Sequence, residues 1–257
     1  MIAARPHKPP GEISTRSAPA AAPTIAARVA TLDWTAIEAC LDRDACAVVP
    51  SLLSQNECEV VSALYAADTR FRSRVVMARH NYGSGEYKYF AYPLPRLVGG
   101  LRTAFYPPLA AIANRWNAAM GLDIRFPDKH KAFIQRCHAA GQIKPTPLML
   151  QYGAGDYNCL HQDLYGDHVF PLQVAFLLSS PGTDFTGGEF VLTEQRPRMQ
   201  SRAEVISLRQ GDGVIFPVRH RPRASKRGVY RVNVRHGVSR VRAGHRQTLG
   251  IIFHDAQ

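Results

Sequence analysis

The stretch Tyr230-Arg231-Val232-Asn233-Val234-Arg235-His236 decides the fold. Its odd positions are polar or charged and its even positions are apolar, which is the two-residue period of a strand with one buried face. His236 shares its face with Val232 and Val234 and is expected to point inward with them. An imidazole among valines needs a partner, because an unpaired polar group in an apolar interior is costly. Taken alone, such a histidine is more often a hydrogen-bonded core residue than a metal ligand.

Working outward, the same period recurs through the second half of the chain. Leu148, Leu150 and Tyr152 alternate with Met149 and Gln151, and short strands are expected over 169–179, 189–193, 204–208, 214–218 and 246–254. Pro181-Gly182, Gly187-Gly188 and Gly211-Asp212-Gly213 punctuate them as turns. The first half has helical spacing instead. Asp33-Trp34-Thr35-Ala36-Ile37 opens one helix, and Ser54-Gln55-Asn56-Glu57 is a capping box in front of an apolar stripe of Val60, Val61, Leu64 and Tyr65. Further helices are expected over 97–120, interrupted near Pro107-Pro108, and over 128–139. Residues 67–95 mix aromatic and charged side chains and fit either a substrate-covering loop or an edge strand with a turn. Helices followed by many short strands predict an α+β chain with a β-sandwich or jelly roll in its C-terminal half.

At 257 residues the chain can bury a full core, and one domain is expected over 31–257, with 31–146 as mainly helical support. Residues 1–30 are rich in Ala, Pro, Ser and Arg and lack the apolar bulk to offset ordering, so a flexible N-terminal tail is expected there, weakly resembling a transit peptide. No apolar run reaches the roughly eighteen residues of a membrane span. The five cysteines form no CxxC pair, which favours a reducing compartment and a cytoplasmic location. The net charge of +12 is uneven: 14 Lys/Arg against two acids lie between Arg196 and Arg246, and the remaining residues carry 18 of each sign. That segment is either a solvated basic surface or a field for anions, including nucleic acid.

Chemistry enters with Leu160-His161-Gln162-Asp163. An imidazole and a carboxylate two residues apart, joined by the inward His236, can grip a metal by one face and leave positions open, the pattern of non-haem iron(II) oxygenases. Arg246 lies ten residues beyond His236 and shares its strand face with Thr248 and Gly250, while Leu249 and Ile251 share the other. Hydrophobicity leaves open which face is the inner one. A buried Arg246 requires an anion, and its forked guanidinium suits a carboxylate. Tyr152, on the face of Leu150, could bond the same anion or could simply be a core tyrosine.

The ordered set Tyr152-Gly153-Ala154-Gly155-Asp156-Tyr157, His161-Gln162-Asp163, Gly187-Gly188-Glu189, Gly211-Asp212-Gly213-Val214-Ile215-Phe216, His236-Gly237-Val238 and Gly244-His245-Arg246 resembles the prolyl 4-hydroxylase-like catalytic domain of the 2-oxoglutarate/iron(II) dioxygenases. The resemblance covers 147–255. It implies a double-stranded β-helix (jelly roll), with iron(II) held by His161, Asp163 and His236. It further implies 2-oxoglutarate held by Arg246 with Tyr152 assisting, dioxygen, and ascorbate as a reductant. One departure stands out: the strand after the His-x-Asp triplet, Val174-Ala175-Phe176-Leu177-Leu178-Ser179, has no tyrosine for the co-substrate, leaving the clamp to Arg246, Tyr152 and Thr248. The implied activity is hydroxylation of a protein, peptide or amino-acid side chain with release of succinate and CO2. Oxidative demethylation of nucleic acid and a non-catalytic binding module are the alternatives. A zinc hydrolase would be expected to carry an HExxH helix, which is absent.

Overall fold

A computed structural model describes residues 22–225 and 228–257 of the chain. The N-terminal half contains α1 (Ile25–Ala30), α2 (Trp34–Asp44), β1 (Ala47–Val49), α3 (Gln55–Ala63), β2 (Phe71–Val76), β3 (Gly83–Ser84), β4 (Glu86–Phe90), α4 (Arg96–Ala119) and α5 (His130–Ala139). The C-terminal half follows with β5 (Leu148–Tyr152), β6 (Tyr157–His161), β7 (Leu172–Leu177), β8 (Phe185–Gly187), β9 (Phe190–Gln195), β10 (Arg202–Ile206), β11 (Gly213–Pro217), β12 (His220–Ser225), β13 (Gly228–Val238), β14 (Val241–Gly244) and β15 (Arg246–Ile251).

The strands form two main antiparallel sheets. The larger runs β1-β11-β7-β15-β5-β4-β2, the smaller runs β10-β9-β13-β6-β3 with β12 added beside β13, and β14-β8 is a separate pair. The larger sheet is covered on one face by helices. Leu101, Phe105, Leu109 and Trp116 of α4 pack with Met149, Phe176, Leu249 and Ile251 in one apolar cluster. Its other face meets the smaller sheet across a second cluster containing Tyr152, Leu192, Phe216, Val232 and Val234. Along β13 the alternation is as the sequence spells it: Val232, Val234 and His236 are buried, while Arg231 and Arg235 are exposed.

Several sequence expectations need correction. The expected tail through residue 30 overruns α1, whose Thr24 side chain caps Ala27, whose Val29 is buried, and whose Arg28 pairs with Glu57. The part of the tail at 1–21 lies outside the described residues. The first half is mainly helical, and it also adds β1, β2 and β4 to the larger sheet. Of the two readings of residues 67–95, the edge strand with a turn is the one observed: β2 pairs with β4 at the sheet edge, and β4 pairs with β5. Pro107-Pro108 does not interrupt α4, which runs unbroken from Arg96 to Ala119. Two adjacent prolines remove two backbone donors, but Phe105, Tyr106, Leu109 and Ile112, all buried around them, hold the helix on the sheet.

Candidate active site

A cavity of about 310 Å³ lies between the two sheets and collects most of the residues singled out by sequence. His161 ends β6 and His236 lies near the end of β13, and the register places them directly opposite each other. Their rings are 4.2 Å apart between centroids. Asp163, just past β6, comes to both: its Oδ1 is 3.5 Å from His161 Nε2 and its Oδ2 is 3.4 Å from His236 Nε2. The candidate ligand atoms of the three residues all lie within 4.8 Å of one another. Among the described residues no other His, Cys, Asp or Glu group comes together in this way.

The electrostatics follow from burial among partners. Burial alone would raise the Asp163 carboxyl, but hydrogen bonds and charge from His161 and His236 hold it well below its ordinary range. Burial likewise opposes charge on His161, yet its bond to Asp163 wins and moves it up. His236 moves down, through burial first and then the neighbouring His161. His161 Nδ1 donates to the Cys159 carbonyl at 2.8 Å, which fixes the ring so that Nε2 is the nitrogen facing Asp163.

Arg246 opens β15 opposite Tyr152 on β5, so the two side chains share the cavity face. Thr248 and Gly250 follow on the same face. Leu249 and Ile251 pack against the helices behind. The two orientations left open by sequence are therefore both satisfied, because β15 is buried on both sides. Arg246 is 2% exposed, and its Nε and Nη1 have no hydrogen-bond partner among the described residues. Burial draws its pKa down to about 10, which still leaves it a cation at neutral pH. It lies beside Gly188, at φ +63°, where a Cβ would sit 2.9 Å from Arg246 Cδ. Only glycine leaves that side chain its space. Tyr152 is fully buried, with its hydroxyl 3.4 Å from Asn158 Nδ2, and burial pushes it up to about 12.

Sequence reading missed Tyr82, Tyr87, Tyr89, Tyr165 and Gln173 as cavity residues. Gln173 had a signal, since an amide in the apolar strand Leu172–Leu177 calls for a buried partner. The tyrosines had none, since their approach depends on β4 joining β5. The basic segment is also not one surface. Arg221 and Arg246 are buried, whereas Arg198, Arg202, Arg209, Arg219, Arg231, Arg235, Arg240 and Arg242 are exposed.

Two imidazoles, a carboxylate and an unpaired buried guanidinium on one cavity can bind a divalent cation beside an organic anion, which is the donor set of a mononuclear metal oxygenase. Comparison with known proteins agrees. The model of the Oxygenase-NA family, described as "Oxygenase, catalysing oxidative methylation of damaged DNA", matches residues 85–256, and the chain belongs to this family. It is thus an oxygenase. An uncharacterized protein of Mycobacterium tuberculosis is 52% identical over 167 residues, covering 65% of this chain and 72% of its own length. Among solved structures, a 2OG-Fe(II) oxygenase family oxidoreductase from Burkholderia pseudomallei aligns with TM-score 0.51 at 16% identity, over 88% of this chain and 94% of its own. The non-heme alpha ketoglutarate dependent epimerase SnoN from nogalamycin biosynthesis aligns with TM-score 0.50 at 14% identity, over 84% and 81%. These two establish likeness of fold. No helix among the described residues is long and apolar enough to cross a membrane, and all five cysteines are free thiols.

Proposed function

We propose that His161, Asp163 and His236 hold the iron(II) implied by the resemblance to 2-oxoglutarate/iron(II) dioxygenases. In this reading Arg246 grips the far carboxylate of 2-oxoglutarate, with Tyr152 and Thr248 lining its berth. The observation that carries it is Arg246, a buried cation with open donors on the same cavity as the triad. A buried guanidinium without an anion is costly, and a bound carboxylate removes that cost. The donor set fits too, since imidazole nitrogen and carboxylate oxygen suit iron(II). When bound, iron and 2-oxoglutarate supply the oxidation of a C–H bond by dioxygen with release of succinate and CO2, and ascorbate would keep the iron divalent. The chain's own task is to place the donors, fix the co-substrate and exclude water. The strand orders β5-β15-β7-β11 and β6-β13-β9-β10 support reading the facing sheets as a double-stranded β-helix.

Two substrate classes stay in play. The sequence resemblance favoured a protein, peptide or amino-acid side chain. The family description and the site itself favour nucleic acid: Tyr82, Tyr87, Tyr89 and Tyr165 line the cavity, where their rings could stack on a base, and exposed arginines of the basic segment could meet phosphates. The test is succinate release from iron-loaded protein supplied with 2-oxoglutarate and either methylated single-stranded DNA or a peptide pool. Methylated DNA is expected to stimulate turnover, and Asp163→Ala is expected to abolish iron uptake. Stimulation by peptides alone would return the side-chain hydroxylase, and failure to bind 2-oxoglutarate or form succinate at all would end the enzyme reading of this site.

A further inference from the structure

A carboxylate turns easily about its last torsion, since its rotamer well is broad. Asp163 is instead held from both sides. Tyr165 Oη donates to Oδ1 at 2.8 Å, and Gln173 Nε2 donates to Oδ2 at 2.8 Å. These same oxygens face His161 and His236, so each has one outer donor and one imidazole. The two donors come from separate parts of the fold. Tyr165 lies in the segment after β6, its backbone carbonyl bonded by Gln142 Nε2 at 3.4 Å and its ring edge-on to Tyr89 at 6.3 Å. Gln173 lies on β7, 4% exposed in an otherwise apolar strand, and its amide bonds Asp163 and no other described side chain. Burying an amide there is unfavourable unless that bond forms.

Both donors are also uncharged. A lysine or arginine in their place would satisfy the oxygens but offset the negative charge that attracts a cation. Among the described residues Arg246 is the only Lys or Arg on this cavity wall. We infer that Tyr165 and Gln173 are positioning residues that lock the Asp163 carboxylate, charge intact, toward the imidazole pair. This rests on the reading of His161, Asp163 and His236 as metal ligands. Gln173 does so from the opposite sheet, so closure of the two sheets and orientation of the carboxylate become one event.

The test uses full-length metal-free protein titrated with cobalt(II), reading the visible ligand-field bands and the affinity by chelator competition. Tyr165→Phe and the near-isosteric Gln173→Leu are each expected to weaken cobalt binding about tenfold, as loss of a partner behind a metal ligand does, and to shift the bands. A residue that merely packs would lower the melting temperature and leave both unchanged. Folded variants with wild-type affinity and bands would overturn the inference. If Gln173→Leu does not fold, Tyr165→Phe decides alone, since it removes one hydroxyl. Wild-type protein that takes up no cobalt would overturn the metal-site reading itself, and this inference with it.

Discussion

Arg221 and Arg246 belong to the same basic stretch, and both are buried, at 0% and 2% exposure. Around Arg221 every side is occupied. It pairs with Glu194, its Nη1 donates to the Asp42 carbonyl at 2.7 Å, and Nη2 donates to the Arg43 carbonyl at 3.4 Å. It fastens the smaller sheet to the end of α2. Around Arg246 two donors have no partner among the described residues, and Glu189, the carboxylate that acts on its charge, is bonded to Ser239. Arg102 resembles Arg221, with Asp255 at 2.7 Å and carbonyls of Ile252 and His254 on its fork. An arginine saturated by its own chain is architecture, whereas one buried unsaturated is a receptor for something outside it.

That contrast can be broken in several places. Arg221→Met leaves Glu194 buried with weaker partners, and urea unfolding should show a loss of about 3–5 kcal/mol. Arg246→Met removes an open charge, so stability should hold or rise while 2-oxoglutarate affinity, read by calorimetry, falls on the order of 100-fold or more with metal uptake unchanged. Lost metal uptake in that variant would mean that Arg246 serves the triad rather than the co-substrate. A third test concerns the Arg102 region, where burial and then the Arg102 charge hold His130 and His254 down to about 4. The unfolded chain takes up these protons near pH ~6.5. The stabilisation is therefore complete above that pH and is lost as pH falls toward 4, by roughly 1–3 kcal/mol for each imidazole. Unfolding midpoints that stay flat from pH 7 to 4.5 would contradict this. The smallest effect is expected from Arg246→Lys, which keeps a cation but loses the fork. Its 2-oxoglutarate affinity should drop about tenfold, and an unchanged value would show that charge alone suffices.

Much of the site was legible because it rests on short-range patterns. The alternation through Val232, Val234 and His236 fixed which way the imidazole points, and the turn glycines marked where strands end. Long-range pairing is less readable. Nothing local in Glu86–Phe90 says that it joins β5, so the tyrosine wall was invisible. Binary patterning is also insufficient at β15, because it assumes one inner and one outer face. A strand with a cavity in front and helices behind has no outer face, and Arg246 and Leu249 can both be buried. At Pro107-Pro108 local propensity yielded to packing, and at Ile25–Ala30 a short helix gained its stability from contacts that composition does not register.

β15 carries a constraint on how this molecule can change over time. Of its six positions only Gln247 is not fully buried, so drift has almost nowhere neutral to land. A substitution at Leu249 or Ile251, meant to adjust the fit against α4, would tilt the same backbone that carries Arg246 and Thr248. Thermal robustness and appetite for the co-substrate are therefore inherited together along this strand, and a lineage adapting to heat would be expected to make its changes elsewhere, on strands such as β10 that still have one side in water.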